Sequence, residues 1–304
     1  MSAAQDHSGH ARTAATESEE APVRAVDHVR GKVIVITGAA SRTGFGGLLA
    51  AKAGARGAKI VCADIDEAGV RETAAAIVAA GGEAVAVRAD VTEIEDMKAL
   101  AATTLARFGR IDVMVNNAGV MPLAFFSDHE AALTAWHRCI DINFKGVLNG
   151  MVAVHDPMIA QGCGHVINVS SIYGNFPVAG AAVYGATKAA VNFLSESLRA
   201  ESRGRIKVTT VKPTGVPGTG LAGGVINRAA VVGILGHNLP EYVQARQAFL
   251  DGRLDPALLD PEQPGYVFLD PQHIADAMLH AIDQPWGVSI GEVTVRATGD
   301  HFLL

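Results

Sequence analysis

Val33-Ile-Val-Ile-Thr37-Gly-Ala-Ala-Ser-Arg-Thr-Gly-Phe-Gly46 begins as an unbroken apolar run and ends as a glycine-rich turn. β-Branched residues without alternation describe a strand covered on both faces, as in a parallel sheet. A stretch of helical length, residues 44–56, follows at once. Gly38 would permit a sharp turn. Gly44 and Gly46 would let backbone amides and a helix start approach a pyrophosphate closely. A glycine string alone says little, but strand, turn and helix in immediate succession are the context a dinucleotide site requires.

Outward from this point the pattern repeats. Apolar runs at 60–63, 84–87, 111–115, 165–169 and 206–211 alternate with helical stretches at 67–80, 93–108 and about 183–203, and with a longer helix ending near Ile159. Strands alternating with helices mean βαβ units, right-handed crossovers and one doubly wound α/β domain with a parallel sheet. A helix over 271–283 and a strand over 291–297 would close it. Residues 214–269 break the rhythm with Gly, Pro and irregular apolar residues. Such an insertion after a strand's carboxyl end usually caps a ligand crevice, the alternatives being an oligomer contact or a plain loop. Residues 1–28 lack apolar periodicity and read as a tail outside a single catalytic domain of 29–304, with His7 and His10 as solvated bystanders.

The 304-residue length admits two domains at about 150 residues each, yet one α/β domain can run to about 250. Apolar residues at 49% and charged residues at 18% supply a large core and argue against wholesale disorder. Lys and Arg total 25 against 31 Asp and Glu, a formal charge of −6 without a basic cluster, which disfavours nucleic-acid binding. Cys62, Cys139 and Cys163 have neither disulfide nor zinc spacing and suit reduced thiols in a cytoplasm. His137, His155 and His165 share no face, so no metal is expected. No run reaches the roughly 18 apolar residues of a membrane span, so no membrane partner is expected either.

Asp64 ends the second strand, where a carboxylate can accept the ribose hydroxyls of NAD and would repel the 2′-phosphate of NADP. Its bland alternative is a cap for the next helix. Arg42, inside the turn, could offset it with a cation for that phosphate. Downstream, Ser171 closes the fifth strand, and Tyr184 and Lys188 stand four apart at a helix start, sharing a face. An ammonium beside a phenol should lower its pKa from about 10. The pair would then exchange a proton with an alcohol or ketone, while Ser171 holds the oxygen.

With these residues in place, the chain resembles the short-chain dehydrogenase/reductase family, in its compact single-domain branch, over about 32–297. The likeness rests on the Gly turn, Asp90-Val91, Asn116-Asn-Ala-Gly119, Asn143, Ser171, Tyr184, Lys188 and Pro213. It implies a Rossmann fold with seven parallel strands and hydride transfer at a carbinol or carbonyl carbon. It also implies a homodimer or homotetramer packed through two long helices. Asp90 would contact adenine, with a helix cap as the alternative. Asn143 would hold a water in a proton relay behind Lys188, or be an ordinary helix hydrogen-bonder. Cofactor contacts would fall to Gly38, Ser41, Arg42, Gly44, Phe45, Gly46, Asp64, Ile65, Asp90, Val91, Asn117, Ala118, Gly119, Tyr184, Lys188, Pro213, Thr214, Val216 and Thr219. The chain departs from the pattern in places. Five residues separate Gly38 from Gly44, Thr214 replaces a Gly, Thr219 comes late, and the last strand lacks an Asp-Gly-Gly ending.

The expectation is an oxidoreductase moving hydride between NAD, rather than NADP, and a small-molecule alcohol or ketone. Leu221, Val225, Ile226, Val231, Val232, Ile234 and Leu235 point to an apolar secondary alcohol or ketone, cyclic ones included, with Arg228 the one cation in that run. Alternatives are an NADP-dependent carbonyl reductase and a non-catalytic dinucleotide-binding module whose altered turn has lost turnover. A sugar-nucleotide epimerase would need a larger carboxyl-terminal domain.

Overall fold

The computed structural model describes residues 26–303. The expected tail, with His7 and His10, lies outside these residues except at its end. There Asp27 pairs with Arg56 at 2.7 Å and the His28 amide donates to Asp283.

β1 (Val33–Thr37) is buried along its whole length, as its unbroken apolar sequence requires. β2 (Lys59–Asp64), β3 (Glu83–Arg88), β4 (Val113–Asn116), β5 (Gly164–Val169), β6 (Ile206–Pro213) and β7 (Glu292–Val295) complete a seven-stranded sheet of order β3-β2-β1-β4-β5-β6-β7. Every pairing is parallel, with Val33 opposite Lys59 and Ile34 opposite Val113. The seven parallel strands of a doubly wound Rossmann fold are present. β4 starts two residues later than its apolar run, and just before it the Asp112 side chain accepts the Val33 amide at 2.9 Å.

α1 (Phe45–Ala55), α2 (Glu67–Ala79) and α9 (Pro271–Ile282) bury Leu49, Ile77, Ile274 and Met278 against one sheet face. α3 (Ile94–Phe108), α5 (Gly146–Ala160) and α6 (Ala182–Glu201) bury Leu100, Met151, Met158 and Val191 on the other. The long helix ending near Ile159 is two segments. α4 (His129–Ile140) continues through one π-helical turn, Asp141–Lys145, into α5.

The stretch read as irregular, 214–269, holds 3₁₀ turns, the short α7 (Val232–Leu235) and a twelve-residue α8 (Leu239–Leu250). α8 escapes a periodicity search because none of its residues is fully buried, so no apolar stripe was required of it. The carboxyl-terminal segment returns over this region. The Leu303 amide donates to the Ile234 carbonyl at 3.0 Å, Asn238 Nδ2 donates to the His301 carbonyl at 3.0 Å, and Phe302 packs over Gly215.

Among the described residues no helix is long and apolar enough to cross a membrane. The three cysteines are free, and burial pushes the Cys62 thiol up to about 12. His165 is fully buried. Thr209 donates its hydroxyl proton to the Ile290 carbonyl, so at 2.8 Å it accepts one from His165 Nε2, and burial holds that imidazole neutral.

Candidate active site

The carboxyl ends of the parallel strands share one edge of the sheet, where open α/β sheets take their ligands. A cavity of about 1310 Å³ opens along that edge. A single small-ligand pocket holds about 300–1,000 Å³, so this cavity accommodates two molecules side by side. Its wall includes Gly38, Ser41, Gly44 and Phe45 after β1, Asp64 and Ile65 at β2, Asp90 and Val91 after β3, and Asn117, Ala118 and Gly119 after β4. Ser171 after β5, Tyr184 and Lys188 on α6, and Pro213, Thr214, Val216 and Thr219 after β6 complete it.

At the turn Gly38 has φ +67°, and a Cβ there would lie 2.8 Å from Asn117 Nδ2. Only glycine meets both conditions. Asn117 Nδ2 donates to the carbonyls of Thr37 and Gly38, and the amides of Asn117 and Ala118 donate to Thr37 Oγ1, tying the β4 end to the β1 end. The two extra turn residues bulge outward. Ser41 closes the loop by accepting the Gly44 amide at Oγ, 3.2 Å away, leaving Arg42 and Thr43 exposed. α1 starts at Phe45, on the cavity wall, with no side-chain cap and no acidic residue in its first turn, so the insertion leaves the helix start uncapped.

Two residues expected at this turn lie off the cavity wall. Arg42 is exposed and not part of the cavity wall. Gly46 is not on the wall either. A Cβ there would lie 2.7 Å from the Gly38 carbonyl, so the residue serves close packing of helix on turn.

Asp64 Oδ2 accepts the Ala40 amide at 3.2 Å and Oδ1 the Asp66 amide at 3.1 Å, which holds the carboxylate on the wall without a cation. The alternative reading as a helix cap belongs instead to Asp66, which accepts the Gly69 amide at the start of α2. Asp90 Oδ1 accepts the amide and hydroxyl of Thr92, an Asx turn that leaves its other oxygen uncommitted, rather than capping α3. Thr214 Oγ1 is buried without a partner among the described residues. An orphaned hydroxyl, an uncapped helix start and an unpaired carboxylate along one trough fit the polar groups of a nicotinamide dinucleotide.

The reacting end is set by β5 and α6. Ser171 is extended and Tyr184 lies in the first turn of α6, each nearly fully buried. Lys188 Nζ donates to the Val169 carbonyl at 2.9 Å and stands 5.7 Å from the Tyr184 ring centroid. Burial pushes the Tyr184 phenol above its ordinary value, the Ser171 hydroxyl opposing it, and draws the Lys188 amine down to about 8. Where the ammonium was expected to lower the phenol, loss of water raises it here, and the Lys188 amine is engaged by the Val169 carbonyl.

Asn143 lies in the π-helical turn, fully buried and not on the cavity wall. Its Oδ1 accepts the Val120 amide at 2.9 Å and its Nδ2 donates to the Val120 carbonyl at 2.8 Å. The side chain therefore clamps the loop after β4, and a relay through this residue would have to use its backbone. A Cβ on Gly119 would sit 3.2 Å from Asn143 Oδ1 and 3.7 Å from Lys188 Nζ, so that loop lies between the two.

Residues 32–228 match the short chain dehydrogenase family. The chain belongs to the short-chain dehydrogenase/reductase family. An uncharacterised oxidoreductase of Listeria innocua is 36% identical over 274 residues, covering 89% of this chain and 98% of its own. A solved short-chain dehydrogenase/reductase from Burkholderia phymatum, in complex with NAD, is 29% identical with a TM-score of 0.68, over 88% of this chain and 90% of its own. A metagenomic short-chain oxidoreductase in complex with NADP is 30% identical with a TM-score of 0.66, over 89% of this chain and 99% of its own. This short-chain dehydrogenase is accordingly an oxidoreductase of the nicotinamide-dinucleotide class.

The cap side of its cavity wall is the part that reading the sequence missed. Of the seven apolar cap residues expected there, only Leu221 and Val231 line the cavity, while Ile234 and Leu235 are fully buried in the cluster behind Tyr184. Arg228 is exposed away from the wall. Tyr173, Tyr242, Arg246, Phe249 and Phe302 take these places. The spacing of Tyr242 and Arg246, four apart, was the available signal, but it needed α8 to be recognised as a helix.

Proposed function

We propose that this protein is an NAD-dependent dehydrogenase acting on secondary alcohols, and on the corresponding ketones in reverse. One observation carries the reading: Ser171, Tyr184 and Lys188 share a wall with the uncapped start of α1 and the Asp64 carboxylate. Bound dinucleotide supplies the hydride acceptor or donor. Ser171 would hold the substrate oxygen, and Tyr184 would take the hydroxyl proton in oxidation or deliver it in reduction. Lys188 would hold the nicotinamide ribose and offset the charge left on the phenolate, with Asn143 returning the proton through its backbone. Asp64 favours NAD. The NADP-bound relative keeps an NADP-dependent carbonyl reductase as the second reading.

The large, mainly apolar cavity supports ring-bearing and hydrophobic substrates. The acidic net charge supports a protein without a nucleic-acid partner, the three free cysteines support a cytoplasmic one, and the lack of a long apolar helix among the described residues supports one without a membrane partner. Exposed Val152 on α5 and Phe193 on α6 support a homodimer or homotetramer packed through these helices. An intact Ser171, Tyr184 and Lys188 argue against a non-catalytic binding module.

A panel of secondary alcohols assayed with NAD and NADP in parallel, read by reduced-cofactor absorbance, tests this. Hydrophobic alcohols should exceed polyols, NAD should exceed NADP, and Tyr184→Phe should lose about 10²–10⁴-fold in turnover while still binding NADH. Normal turnover by Tyr184→Phe would refute the assignment.

A further inference from the structure

The substrate half of the cavity carries a cation that the reaction at Tyr184 does not use. Tyr242, Arg246 and Phe249 lie four and three residues apart on α8, so one face of that helix presents all three to the cavity. Arg246 forms no ion pair among the described residues. Glu241, the acidic residue of the first turn of α8, stands 3.7 Å from His301. Arg246 is itself exposed, while its helix neighbours on the wall are aromatic: Tyr242 stacks edge-on with Phe268 at 6.4 Å and against Phe302 at 5.9 Å, and Phe249 meets Phe268 at 5.1 Å.

This subsite connects to the reacting end. Tyr173 stands edge-on to Tyr184 at 5.5 Å, and Tyr242 and Phe302 pack on the buried cluster that contains both. Tyr242 and Arg246, one helical turn apart on α8 and both on the cavity wall, offer two donors on one face, and the guanidinium opposes the rise that burial imposes on the phenol. The wall's carboxylates Asp64, Asp66 and Asp90 are all at the other, β2–β3 end, while Asp141 is paired with Lys145.

We propose that Arg246 and Tyr242 form an anion subsite that holds a carboxylate carried by the substrate, on a flat ring lying among Tyr173, Phe249 and Phe302. Arginine suits this role because its planar fork matches a carboxylate with two parallel hydrogen bonds. The inference rests on the dehydrogenase reading above and narrows its substrates from neutral hydrophobic ketones to aryl or cyclic keto acids and their alcohols.

The probes are 3- and 4-acetylbenzoate and their methyl esters, with NADH and the full-length protein. Wild type should favour acid over ester at least tenfold in kcat/KM, chiefly through KM, as expected of binding felt equally before and during reaction. Arg246→Gln should lower that ratio at least tenfold, and Arg246→Lys should restore part of it. A wild-type ratio near one, or one that Arg246→Gln leaves unchanged, would overturn the proposal. So would a tenfold rise in the NADH dissociation constant of Arg246→Gln, which would assign the arginine to cofactor phosphates. Calorimetric titration of the acetylbenzoates into NADH-loaded wild type separates the two readings. Tighter binding of acid than ester, without turnover of any ketone, would uphold the subsite and defeat the dehydrogenase. Turnover of esters with no preference for acids would do the opposite.

Discussion

Lys188 and Tyr184 carry opposite shifts from one cause. Burial disfavours charge, so the amine falls from 10.5 to about 8 and the phenol rises above its ordinary 10.0. Between about pH 8 and 10.5 the folded chain has released a lysine proton that the unfolded chain keeps, so this group's contribution to stability rises with pH in that window. Below pH 8 both states carry the proton and the cost of burying the ammonium is fully present. Tyr184 acts in the other direction, since the unfolded phenol ionises first and stability falls as pH rises beyond 10.0. For catalysis, kcat/KM of ketone reduction should decline tenfold per unit above about pH 8 as Lys188 loses its charge. In Lys188→Arg, whose guanidinium stays charged, a pH profile should show that limb displaced upward; an unmoved limb would place the titration elsewhere. In the proposed reading, Asp64 sets cofactor choice. Asp64→Ala should move the NADP-to-NAD ratio of kcat/KM at least tenfold toward NADP, about 1.4 kcal/mol, as read from initial rates with each cofactor.

At the scale of elements, α5 meets the sheet through a polar seam. Asn116 at the end of β4 donates to Asn168 Oδ1 on β5 at 2.8 Å, and Asn168 donates to Ser195 on α6 at 2.9 Å. Gly150 of α5 lies over this chain so closely that a Cβ would come 2.0 Å from Asn116 Oδ1. Gly150→Ala would gain up to about 1 kcal/mol in helix propensity. Displacing a buried, hydrogen-bonded amide should cost more, about 1–3 kcal/mol. Thermal denaturation should therefore show a melting temperature lower by several degrees, and a variant as stable as wild type would mean that the seam yields freely. The π-helical turn between α4 and α5 belongs to the same level, since it places Asn143 where both of its amide atoms meet Val120.

Across the whole molecule, several of the exposed apolar side chains lie on α4, α5 and α6. Leu133, Ile140, Leu148, Val152 and Phe193 lie there, and Phe193 is 77% exposed. Exposed apolar residues of this kind favour self-association. Sedimentation analysis of Phe193→Asp should show a smaller species than wild type at equal concentration; an unchanged distribution would move the interface to another face. The carboxyl-terminal segment joins distant parts in the same sense. It carries Phe302 from beyond β7 to the substrate wall, so the last residues help shape the cavity.

Periodicity and punctuation were enough to order the strands along the chain, to place the phosphate turn and to single out Ser171, Tyr184 and Lys188. Each of these depends on neighbours within a few residues or on a rule of chain chirality. Helix–strand alternation needed no distant contact to be legible. The substrate wall was not legible in that way. Tyr173, Tyr242, Arg246 and Phe302 come from β5's exit, a cap helix and the carboxyl terminus. Only folding makes them neighbours. The same holds for the direction of the Tyr184 shift, which depends on how completely water is excluded around the phenol, a property of packed volume that no local pattern of residues encodes.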